Sequence, residues 1–134
     1  MATGLPASDE QPQISTVLAS RPGIMQQSLR AALTANPMIC VVVSAGDGLS
    51  ALNQVVARRP ALLVIDCNLL MEEIEALLAA VKANCPTTCC LVLLNSQQRA
   101  AWAMKSGADA ALARDTTTQQ LQTVLTQLHK DTLS

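Results

Sequence analysis

Apolar residues along this chain follow two alternating rhythms. Short runs rich in apolar residues, at Ile14–Ala19, Met38–Ser44, Leu62–Asp66, Cys89–Leu94 and Ala110–Ala113, are separated by longer stretches in which apolar positions recur every three or four residues. The unbroken run Ala61–Asp66, apolar up to its last residue, reads as a strand buried on both faces, which is how parallel strands inside a layered sheet read, and the others read as its sheet partners. The stretches between them read as helices. Pro22 and Gly23 open one with Ile24, Leu29 and Leu33 on a face, ending at Asn36-Pro37. Leu49, Leu52, Val55 and Val56 predict a second after the Gly46-Asp47-Gly48 turn, stopping at Arg58-Arg59-Pro60, where the basic pair complements the macrodipole. Ile74, Leu77, Leu78 and Val81 predict a third, with Glu72, Glu73 and Glu75 near its positive end and Asn84-Cys85-Pro86 after it.

Gln97–Ser106 predicts a short helix closed by Gly107, and Leu121, Val124, Leu125 and Leu128 a last one capped by Thr116, Thr117 or Thr118. Strand and helix alternate five times. That pattern predicts a doubly wound α/β sandwich, with a parallel five-stranded sheet, right-handed crossovers and helices on both faces. Residues 1–13 are polar and punctuated by Pro6 and Pro12, which predicts a disordered tail ahead of one domain over 14–134.

One polar residue interrupts this scheme in an informative place. The central run Ala61–Asp66 stops on a carboxylate, and in open α/β sheets ligands bind beyond the carboxyl ends of the strands. Asp66 is therefore either placed for chemistry or caps the turn into the next helix.

Composition narrows the classes. A chain of 134 residues, half of them hydrophobic, can build one sizeable core. One Trp and no Phe or Tyr leave little for stacking bases, and a net charge of −1 gives no electrostatic footprint for nucleic acid. No apolar run approaches the ~20 residues that span a bilayer, and the N-terminus lacks the basic and apolar regions of a signal peptide, so a cytoplasmic protein is expected. Five cysteines is an odd number; Cys40, Cys67, Cys89 and Cys90 lie in or beside apolar runs and read as small buried hydrophobes. Cys85, Cys89 and Cys90 cluster without a Cys-x-x-Cys pair, and the single histidine, His129, is remote, so no metal site and no cofactor are expected. No Ser-His-acid set or glycine-rich phosphate loop points to an enzyme.

Four segments together resemble the receiver domain of two-component response regulators. They are Ile14–Ala19 followed by Ser20-Arg21-Pro22, the Gly46-Asp47-Gly48-Leu49-Ser50-Ala51-Leu52 stretch, Arg59-Pro60 leading into Ala61–Asp66, and Ser106-Gly107-Ala108-Asp109 leading into Ala110–Asp115. The phrasing over residues 14–130 is similar to the receivers often fused to a helix-turn-helix domain, which would tie the module to transcription regulation, although no such domain follows before Ser134. The resemblance implies a flavodoxin-like (βα)5 sandwich with strand order 2-1-3-4-5.

The same resemblance makes Asp66 the phosphoacceptor position and puts the two metal-holding acids at Ala19 and Ser20, with a backbone carbonyl ligand at Asn68. The lysine that pairs with the phosphoryl group falls on Arg114, and the hydroxyl switch falls near Asn95 and Ser96. The aromatic rotamer switch falls on Ala111, and a proline and a glycine of the loop after the phosphoacceptor fall on Leu70 and Ile74. Such departures describe a pseudo-receiver.

Three functions are weighed. The first is a phosphorylation-independent signalling module that docks a protein partner, a regulator or sensor kinase, or a second copy of itself. Trp102 and Met104 are its candidate interface residues, against the alternative that Trp102 packs under its own helix. The second is a receiver phosphorylated on Asp66 by a histidine kinase; here the alternative is a structural carboxylate paired with Arg114. The third is a redox or small-ligand sensor using Cys67 and Cys89-Cys90.

Overall fold

The structure, a computed structural model, describes residues 13–113 together with 120, 123, 124, 126 and 127. The predicted tail over 1–13 therefore lies, apart from Gln13, outside the described residues, as do Arg114, the caps Thr116–Thr118, and Leu121, Leu125 and Leu128 of the predicted last helix.

Five strands, β1 (Ile14–Ala19), β2 (Ile39–Ala45), β3 (Leu62–Asp66), β4 (Cys89–Leu94) and β5 (Ala110–Ala113), form one sheet in the order β2-β1-β3-β4-β5 with every pair parallel. This is the doubly wound flavodoxin-like arrangement. Between the strands lie α1 (Ile24–Thr34), α2 (Gly48–Arg58), α3 (Met71–Asn84), and a 3-10 turn (Gln97–Arg99) leading into the short α4 (Ala100–Lys105).

Alternation along the strands sends side chains to two cores. Val17, Ala19, Leu63, Ile65, Cys90, Val92 and Leu94 pack on one face beneath α2, α3 and Ala103 of α4. Ile14, Leu18, Leu62, Val64, Leu91 and Leu93 face the other way, covered by Leu29 and Leu33 of α1 and by Val124, which is helical. Both faces being covered is what makes β4, and β3 up to Asp66, continuously apolar, whereas β1 also carries Ser15, which accepts from the Ala61 N–H, and Thr16, which donates to the Ile14 carbonyl.

The third helix buries the predicted Ile74, Leu77, Leu78 and Val81. Elsewhere the buried faces differ from the predicted ones. Ile24 is 78% exposed and Leu49 71% exposed, and Val56 is exposed as well. Ile24 and Leu49 both sit in the first turn of their helices; α2 is buried through the predicted Val55, with Leu52 packed against the core, and also through the small Gly48 and Ala51. Cys40, expected to be buried, is exposed at the start of the edge strand β2, and Cys67 and Cys89 are half-buried; only Cys85 and Cys90 lie fully inside. Among the described residues, no helix is long and apolar enough to cross a membrane.

Caps set where the helices begin and end. Asp47 caps α2 by accepting the Ser50 N–H at 2.7 Å, a bond that holds its carboxyl below the usual value. Gly107, at φ +119°, ends α4: its N–H donates to the Met104 carbonyl and the Ala108 N–H to the Ala103 carbonyl, the paired bonds of a Schellman motif.

Candidate functional site

The strand order fixes where a site can lie. From β1 the chain runs out to β2 on one side and then returns to β3 on the other, so the carboxyl ends of β1 and β3 flank the point where the winding reverses. Ser20 follows β1 there, and Asp66 ends β3. Both are fully buried.

Asp66 does not cap the next helix, since the N-cap of α3 is Leu70. Its side chain turns toward β1 instead, where the Ser20 hydroxyl donates to Asp66 Oδ2 at 3.0 Å. The same hydroxyl accepts from Asn68 Nδ2 at 3.2 Å. Gln26 of α1 donates through Nε2 to the Ser20 carbonyl at 2.6 Å, and the Ser20 N–H donates to the Ala45 carbonyl at 2.9 Å. These two bonds at its backbone hold Ser20 in place, and its shortest hydroxyl contact is the one to the carboxylate.

A second pair of bonds joins the loops after β1 and β3. The Arg21 N–H donates to Asn68 Oδ1 at 3.1 Å, and Arg21 Nε donates to the Asn68 backbone carbonyl at 2.7 Å. The latter lies at the short end expected of a charge-assisted bond. On the far side of the site, the Cys67 thiol donates to Asn95 Oδ1 at 3.1 Å, joining the β3 and β4 ends.

This donor set does not fit a divalent cation. Magnesium demands about six oxygen ligands in near-octahedral geometry, usually with one or two carboxylates. Ala19 offers no side-chain donor, Ser20 directs its proton at Asp66, and the Asn68 carbonyl already accepts from a guanidinium. Among the described residues no group of three or more His, Cys, Asp or Glu side chains could hold a metal ion.

The remaining candidates disperse. Asn95 is exposed and Ser96 half-buried at the β4 end, and Arg114 lies outside the described residues. Ala111 sits half-buried on β5 against the α2–α4 core. Leu70 is exposed and Ile74 buried. Trp102 of α4 packs against the core and donates through Nε1 to Glu75 Oε2 of α3 at 2.6 Å, whereas Met104 on the same helix is 47% exposed.

The thiols also separate by environment. Burial pushes Cys90 up to about 12, with the nearby Asp109 and Cys89 adding to the shift and Lys82 opposing it. A thiol held protonated in this way is a poor nucleophile. Sequence patterning gave Arg21 and the Asn68 side chain no role, because loop residues carry no periodicity. The signal that could have found them is a basic residue directly after the Ser20 that closes β1, in a chain with nine Lys and Arg in all.

No protein-family model matches this chain, and no curated protein matches its sequence. Solved structures do. The chain is similar to the signal receiver domain of NarL from Mycobacterium tuberculosis, at 21% identity and TM-score 0.76, over 88% of this chain and 98% of that one. It is also similar to the receiver domain of the Francisella response regulator 1452, at 23% identity and TM-score 0.74, over 90% and 99% of the two chains. A third similar structure is the receiver domain of the sensor histidine kinase PA1611 from Pseudomonas aeruginosa, at 18% identity and TM-score 0.73, over 87% and 97%; that protein has a magnesium ion coordinated in its active-site cleft. The chain has the receiver-domain fold.

Proposed function

We propose that this chain is a regulatory signalling module of the pseudo-receiver kind, which docks a protein partner without magnesium-dependent phosphorylation of Asp66. The observation that carries the reading is the Ser20 hydroxyl donating to Asp66 at 3.0 Å where a receiver would place a metal-holding acid. Transfer of a phosphoryl group to a carboxylate needs positive charge on the phosphoryl oxygens, and a metal ion supplies it only where its ligands exist. Here one carboxylate remains, and it is buried against a hydroxyl.

The receiver fold of the similar structures supports a signalling role for the module. Its output is docking, not turnover of a substrate. The sensor alternative at Cys89-Cys90 finds no support in a Cys90 thiol that is fully buried and pushed up to about 12.

The test is a titration with magnesium and beryllofluoride, followed by amide chemical shifts, with Asp66→Asn as control. The expected result is no change at Asp66, Asn68 or Asn95 at millimolar magnesium. Shifts at these residues that vanish in Asp66→Asn would overturn the proposal and direct attention to a histidine kinase.

A further inference from the structure

The carbonyl of Asn68 and the side chain of Asn68 are both held by one residue. Arg21 reaches the carbonyl through Nε at 2.7 Å and the side-chain oxygen through its own N–H at 3.1 Å. A magnesium ion approaching that carbonyl would sit at roughly 2.0–2.1 Å from the oxygen and would have to share it with a guanidinium, placing two positive charges against one acceptor. Resting on the pseudo-receiver reading above, we infer that Arg21 is a built-in cation. It sits on the oxygen that a divalent ion would use and ties the loop after β1 to the loop after β3, so the pocket holds one arrangement without metal.

The chemistry of the side chain suits this role. A guanidinium is permanently charged and weakly hydrated, and its planar array of donors lets Nε bond while the rest of the group stays in solvent. Arg21 is exposed, yet Nε rather than a terminal nitrogen makes the contact, so the side chain folds across the loop. Ser20 and Asp66 complete the closure from below: the hydroxyl donates to the carboxylate and accepts from Asn68 Nδ2, leaving a connected chain from Asp66 through Ser20 and Asn68 to Arg21. In such a chain the acid that a metal needs and the cation that replaces the metal are alternatives, and this protein has the second.

Two substitutions separate these effects. Ser20→Asp restores one acid, and Ser20→Asp with Arg21→Ala also clears the Asn68 carbonyl. Binding is read with manganese alone, from paramagnetic broadening of the amides of Asp66–Leu69. The double variant is expected to bind manganese about tenfold or more tightly than Ser20→Asp, the size of effect a charge-assisted bond would exert. Ser20→Asp with Arg30→Ala removes a positive charge elsewhere, from a side chain that bonds Ser44, and should bind no better than Ser20→Asp. Equal affinity for Ser20→Asp and the Arg21 double variant would overturn the inference, as would an Arg30 effect equal to the Arg21 effect.

A second measurement avoids the new buried acid. In otherwise native protein without metal, Arg21→Ala is expected to speed amide hydrogen exchange at residue 21 and at Leu69, whose N–H donates to the Asp66 carbonyl, by about tenfold. Unchanged protection would show that Arg21 holds nothing. These outcomes are independent of the native-protein titration, which by itself decides whether Asp66 still takes a phosphoryl analogue.

Discussion

Ser20 is small enough to lie fully buried beside Asp66 and polar enough to donate to it, a combination that neither Ala nor Asp provides. A buried carboxylate that loses a donor retains its desolvation cost, so Ser20→Ala should destabilise the fold by about 1–3 kcal/mol, read from the midpoint of urea denaturation. An unchanged midpoint would mean that the hydroxyl contributes nothing to holding the carboxylate. Part of this was legible beforehand: a strand that stops on Asp66 and one that stops on Ala19-Ser20 place these residues at strand ends. The strand order that the resemblance implies makes β1 and β3 neighbours, but their direct contact depends on where the two side chains point, which no pattern along the chain carries. The Arg21 and Asn68 bonds were not legible, because they belong to loop geometry, where identical residue types make very different contacts.

Elements show the same division between pattern and packing. Helical spacing located α3 and its buried face, since each of Ile74, Leu77, Leu78 and Val81 has sheet beneath it. It misassigned Leu49, because the first turn of α2 is settled by Gly48 instead. The Gly48 N–H donates to Glu73 Oε2 at 2.6 Å, while Glu73 Oε1 accepts from the Leu70 N–H at 3.4 Å. One carboxylate thus closes the amino ends of two helices, a favourable position for negative charge. The approach is close enough that a Cβ on Gly48 would lie 2.8 Å from Glu73 Cγ.

Gly48→Ala should therefore destabilise by about 1–3 kcal/mol through overpacking, despite the better helix propensity of alanine. In a Glu73→Ala background the clash is gone and the same substitution should become neutral to stabilising, by at most the roughly 1 kcal/mol propensity difference of a helix interior, since Gly48 is the first residue of α2. Thermal denaturation of the four proteins checks both outcomes, and a Gly48→Ala that destabilises equally in each background would rule out the contact with Glu73. Glu73 was legible only as a charge near a helix start; that it serves α2 as well follows from how the two helices cross.

At the scale of the whole molecule, the order of the sheet explains why the buried face patterns repeat so closely. Central strands β1, β3 and β4 contribute to both cores and are almost wholly apolar; the polar side chains they bury, Thr16 within β1 and Asp66 at the end of β3, are both hydrogen-bonded. Cys90 follows this rule as a small hydrophobe on β4, yet it carries a proton that can be lost. Its folded value, raised to about 12, lies above the 9.0 of an exposed thiol, so over that interval the unfolded chain gives up a proton that the folded chain keeps. Stability from this group is therefore full below pH 9 and is lost as pH rises toward 12, by on the order of 4 kcal/mol across the interval.

Cys90→Ala removes this thiol and no other titratable group, so comparing the two proteins isolates its contribution. Urea midpoints measured across the alkaline interval should fall more steeply for the native chain than for Cys90→Ala, even though the alanine variant starts lower for want of packing. Parallel slopes would mean that the fold already opens at β4 before the thiol ionises. The sheet would then not be the single cooperative unit that its two continuous cores imply.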